Sequence, residues 1–178
     1  MQGLVNLSTA VGDAIAASLP AACYVAACSC FFFAGWTLWS MAGGSPQHRH
    51  RPWVPFVSLV LCGVFASFPK FLTKANVSFG TGLRVDFITS YAPTAAPVAS
   101  AGLLGATPTA SVLNVVLLFQ YFFQPFGAAC VFFAVLRWRA IVNGRTQGSA
   151  LACGVQFVFG VLCINVSTVA AGIVSFFA

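Results

Sequence analysis

Four long apolar stretches alternate with short polar ones along this chain, and their length predicts helices that cross a membrane. The first covers residues 21–42 and contains no charged side chain. The second, residues 53–72, is the shortest, reaching Leu72 through an expected kink at Pro69, with Lys70 and Lys74 placed to snorkel from its far side. The third covers 111–136 and the fourth 148–178. A spanning helix needs about 20 mainly apolar residues, which each stretch supplies. Gln120, Gln124 and Pro125 interrupt the third, so a kink is expected near its middle. Upstream, Leu4, Leu7, Val11, Ile15 and Leu19 recur near helical spacing, with Asp13 off that stripe and Pro20 at the end. This predicts either a short N-terminal interfacial helix, with a new helix starting at Pro20, or the lead-in to the first span. The expected fold is an all-α membrane protein of about four transmembrane helices plus that interfacial helix, forming one helical membrane domain over residues 1–178.

Composition strengthens the pattern. Hydrophobic residues make up 60% of the chain and charged residues 6%, against about 25% charged in a soluble domain. So few charges cannot coat a water-soluble globule of this length. Eight Lys and Arg stand against two acids, Asp13 and Asp86, for a net charge of +6. The cations lie between apolar stretches rather than interleaved along one face. That is a topology signal, and no specific nucleic-acid binding is expected. The first ten residues hold no Lys or Arg, so a cleavable signal peptide is not expected.

The cations also orient the chain. The two short loops carry Arg49, Arg51, Arg137, Arg139 and Arg145, with His48 and His50 beside the first pair. The opposite side has Lys70, Lys74 and Arg84, partly offset by Asp86. Both short loops are therefore expected in the cytoplasm and both termini outside. The basic loops can meet anionic head groups, at about 1 kcal/mol per cation near such a surface. Bound phospholipid is the only non-protein group expected. The long connection over residues 73–110 is rich in Gly, Pro, Ser, Thr and Ala, yet holds enough apolar residues for a short interfacial helix.

Candidate chemistry changes the picture little. All seven cysteines lie inside expected spans, and Cys28-Ser29-Cys30 is the pair that invites a redox reading. A reactive thiol wants accessible, electropositive surroundings, which the neighbouring sequence lacks, so small structural residues are expected. His48 and His50 fall short of the three or four ligands of a zinc site, with Arg49 and Arg51 repelling a cation. No Asp, Glu, Arg or His falls within a span, as proton relays and ion carriers require. No catalytic residue, cofactor or metal site is expected.

What remains is packing. Gln120 and Gln124 share a helix face, and Gln156, Gly160, Cys163 and Ser167 follow helical spacing while Asn165 points elsewhere. Such groups either hydrogen-bond between helices or line a wet pore. Small residues recur every fourth position at Ser18, Ala22, Ala26, Cys30 and Ala34, and again at Cys163, Ser167, Ala171 and Ser175. Such ridges let helices approach closely, either within one subunit or between copies.

Three stretches carry a family resemblance. They are Pro55-Phe56 through Phe68-Pro69-Lys70-Phe71, then Val77-Ser78-Phe79-Gly80-Thr81-Gly82, and Gly160-Val161-Leu162-Cys163-Ile164-Asn165 with Gln156 upstream. With the order of spans and the long middle loop, the chain resembles the small integral membrane subunits of type IVB secretion and conjugation systems, the IcmC/DotE-like and TraQ-like group. The resemblance implies a structural component of a secretion or conjugation machine in the bacterial inner membrane, with other subunits of that machine as partners. Conjugative pilins are similar in being small, apolar helical hairpins with basic turns, and this chain reads as two hairpins in tandem. A homo-oligomer or an extracellular helical filament is thus expected, its basic turns facing a lumen or lipid phosphate. The alternatives are a small transporter or pore, and a thiol oxidoreductase using Cys28 and Cys30.

Overall fold

The structure, a computed structural model, describes residues 2–43, 53–80 and 108–177. Every regular element among the described residues is a helix: α1 (Gln2–Ala42), α2 (Val54–Ala66), α3 (Phe68–Ser78), α4 (Pro108–Val142), α5 (Ala150–Ile164) and α6 (Val166–Phe177). Two of these, α1 and α4, are long and apolar enough to cross a membrane; the total is up to four if each bent pair counts as one crossing. The short loop with Arg49 and Arg51, His48 and His50, and the connection with Arg84 and Asp86 lie outside the described residues.

Three sequence expectations are corrected. The first is the separate N-terminal helix: α1 is one helix of 41 residues that continues through Pro20, so the N-terminal stretch is the lead-in to the first span, the other of its two readings. At 1.5 Å per residue it is about 60 Å long, twice a hydrocarbon core of about 30 Å. Packing carries it past the proline. Upstream, a Cβ on Gly12 would lie 2.6 Å from the Tyr121 carbonyl oxygen, so α1 rides directly on α4 there. Immediately before the proline Leu19, and beyond it Cys23, Ala26 and Ala27, enter the common core.

The second correction is the span expected over 53–72. It breaks at Ser67, and α3 leaves α2 at 88°. Pro69 stands in the first turn of α3. Lacking an N–H, it cannot bond the carbonyl four residues back, so the ladder ends there. Beyond the break, Phe68, Leu72 and Asn76 form a buried stripe at spacing four, while Lys70 and Lys74 are exposed. That amphipathic pattern suits a helix lying along an interface.

The third is the span expected over 148–178, which breaks at Asn165 with a bend of 82° between α5 and α6. No proline is involved. The Asn165 side-chain amide instead donates to the Val161 carbonyl at 2.8 Å, alongside its own backbone N–H at 3.2 Å. Such back-bonding by a short polar side chain competes with the helical ladder and bends helices. By contrast, α4 continues through Pro125 as a single helix.

The two halves of the chain therefore repeat one order of helices: a long helix, a short helix, a bend near a right angle and a second short helix. Contacts fix how the halves sit. Gly12 meets Tyr121 and Pro125, and Ser29 meets Arg139, so equal steps along α1 and α4 run the same way and the helices are parallel. Meanwhile Gly127 meets Gly160, and Cys130 meets Gln156, so α5 folds back antiparallel on α4. The core lies between the hairpins. Phe132 sits edge-on to Phe65 at 5.5 Å and to Phe68 at 5.9 Å. Leu61, Leu72, Val131, Val161 and Ile164 close around them.

Candidate functional site

Two places concentrate polar groups in this apolar fold. The first is the basic end of the α4–α5 hairpin. Gly144, at φ +70°, ends α4 in the left-handed conformation that favours glycine, and the Gly144 N–H reaches the Ile141 carbonyl at 2.9 Å. Ser149 then caps α5, its Oγ accepting from the Leu151 N–H at 3.2 Å. This tight connection brings Arg139, in the last turn of α4, and Arg145, in the turn itself, onto α1 together.

The Arg139 guanidinium donates from Nη1 to the Ser29 hydroxyl at 2.9 Å and from Nη2 to the Ser29 carbonyl at 3.2 Å. Its carbon stands 5.7 Å from the centre of the Phe33 ring, and that of Arg145 stands 5.2 Å from the same centre. Both distances are within cation–π range. One phenyl ring is thus shared by two cations. Beside them opens a groove of about 930 Å³ whose walls include Phe31, Phe32, Trp36 and Trp39. Arg137, predicted with these two, is exposed.

The second place joins the two broken helices. Asn165 Nδ2 donates to Asn76 Oδ1 at 3.0 Å. Asn76 is completely buried and Asn165 almost so. The Asn165 Oδ1 is buried with no hydrogen-bond partner. Asn76 was not singled out in the sequence, and Asn165 was noted there only as standing off the polar stripe and closing one stretch of the resemblance. The available signal was the spacing of Phe68, Leu72 and Asn76 opposite Lys70 and Lys74.

The small-residue positions divide. On α1, Ala26, Cys30 and Ala34 are buried and Ala22 is half-buried, and the core they join is this chain's own. On the last stretch the expected ridge is not continuous, because the break at Asn165 puts Cys163 on α5 and the rest on α6. Cys163 is buried, Ser167 half-buried, and Ala171 and Ser175 are exposed. Gly160 makes the tightest crossing. A Cβ there would fall 2.7 Å from the Gly127 carbonyl oxygen and 2.7 Å from Val131 Cγ2. Its partner Gly127 was missed in the sequence.

The remaining candidates stay apart. Cys28 is exposed and Cys30 fully buried, since residues two apart on a helix face opposite ways. Among the described residues no three of His, Cys, Asp and Glu converge as metal ligands. Gln120 and Gln124 are both half-buried on α4. In comparison with known proteins, no family model, curated protein or solved structure matches this chain.

Proposed function

We propose that this chain is a non-enzymatic structural subunit that self-associates in the bacterial inner membrane, crossing it four times when each bent pair counts as one crossing. The observation that carries this reading is how little of the long helices the chain covers by itself. In the most apolar window of both α1 and α4, 28% is buried. The remaining surface faces lipid or further protein. α6 offers a specific seam for a second copy: Ala171, Gly172 and Ser175 are exposed, and a Cβ on Gly172 would meet nothing within 4 Å. Small, open helix faces are where membrane helices associate. Placing the assembly in a secretion or conjugation machine, or in a pilus, rests on the type IVB resemblance alone.

The test is expression in the native host, shearing, fractionation and electron microscopy of each fraction. Sheared extracellular filaments identify a pilin-like subunit. A discrete homomeric complex in the inner membrane identifies a fixed part of an apparatus. A monomer in every fraction refutes self-association.

The Asn76–Asn165 bridge favours a second reading, a small transporter or pore. A broken helix releases backbone groups, which a membrane protein tolerates where protein buries them or a water-filled path uses them. A solute flux into proteoliposomes that is lost on changing Gln120 and Gln124 would select that reading.

A further inference from the structure

We propose that the groove between the end of α4 and the second half of α1 binds an anionic phospholipid. Arg139 and Arg145 hold its phosphate, and Phe31, Phe32, Trp36 and Trp39 flank its acyl chain. Three observations carry this. The first is charge. Arg139 and Arg145 converge on the single Phe33 ring, at 5.7 and 5.2 Å from its centre. Among the described residues the only acidic side chain is Asp13, about 24 Å from Ser29 along α1 at 1.5 Å per residue. Two adjacent cations with no carboxylate beside them among the described residues attract an anion.

The second is preorganisation. Ser29 holds Arg139 through its hydroxyl and its carbonyl, and a planar guanidinium fixed in this way loses little further freedom on meeting a phosphate. The third is the wall. Phe31, Phe32, Trp36 and Trp39 are between 59% and 80% exposed and line the same groove of about 930 Å³ as the arginines. A free phosphate would meet the cations and leave this wall untouched. A phospholipid satisfies both, and basic clefts between membrane helices are where such head groups lodge. The inference needs only that the chain sits in a bilayer, so it stands or falls separately from self-association.

The experiment uses the full chain reconstituted into phosphatidylcholine vesicles doped with phosphatidylglycerol, then repurified in mild detergent. Retained lipid is quantified by mass spectrometry. Phosphatidylglycerol is expected to be enriched over its share of the vesicle. Arg145→Gln should cut that enrichment about fivefold, and adding Arg139→Gln should cut it roughly a further fivefold, at the usual contribution of one cation near an anionic head group. Arg145 donates none of the bonds to Ser29, so Arg145→Gln reads the site even if loss of Arg139 disturbs the α1–α4 contact. The double variant Arg139→Lys, Arg145→Lys should keep most of the enrichment. Retention of the two lipids in vesicle proportion overturns the proposal, as does an unchanged enrichment in the double glutamine variant. Displacement of the lipid by inorganic phosphate alone also overturns it, because the arginines would then serve a free anion.

Discussion

Asn165 does three things at one position. Its side chain takes the Val161 carbonyl, it sits where α5 turns into α6, and it donates to Asn76 on α3. Interhelical hydrogen bonds in membranes average about 0.6 kcal/mol and reach about 1.7. Asn165→Ala removes two bonds from one buried amide and is expected to destabilise the fold by about 1 kcal/mol, read as reversible unfolding in mixed micelles. An unchanged stability would mean that the bend is held by packing alone. The residue was visible in the sequence as a polar group in an apolar stretch. Its partner was not, because Asn76 lies 89 positions away and on the sequence reading belonged to a connecting loop. Arg139 is a similar case. Its charge was read as a topology signal, and only the parallel approach of α1 and α4 delivers it to Ser29.

Helix crossings explain which glycines matter. Gly127 and Gly160 face one another, and a methyl group on either would press on backbone of the opposite helix. Overpacking of that kind costs about 1–3 kcal/mol. Gly160→Ala and Gly127→Ala should therefore lower the melting temperature of the purified protein. Gly63→Ala meets nothing within 4 Å and should leave stability unchanged or raise it by up to about 1 kcal/mol, since alanine suits a helix interior better than glycine. Equal effects at all three sites would contradict the crossing. Spacing identified Gly160 as a packing position and the Ala26, Cys30, Ala34 ridge as a contact face. It could not say that the ridge packs within the chain, or that the second ridge is cut by a bend. A period of four looks the same whichever neighbour covers it. The breaks escaped for different reasons. Pro69 announced the first, though not its right angle, whereas the second rests on an asparagine back-bond that any continuous helix pattern conceals.

At the scale of the whole molecule, parallel α1 and α4 place Gly43, just past α1, and the turn after α4 at one end. In a background stripped of native cysteines, single cysteines at Gly43 and Thr146 should react with a membrane-impermeant maleimide from the same side of the membrane. Labelling from opposite sides would refute the parallel arrangement. The sequence by itself determined that the chain is helical and apolar enough for a membrane. Hydropathy is a sum over local residues, and charges this scarce leave no other way to solvate the surface. It also placed cations in the short turns, where charge is least costly. Only the tertiary structure decided that α1 runs unbroken past Pro20, that two expected spans bend nearly at right angles, and that Asn76 meets Asn165 and Arg139 meets Ser29. Those outcomes depend on which surfaces approach one another across long stretches of chain, and no local pattern of residue types encodes such a meeting.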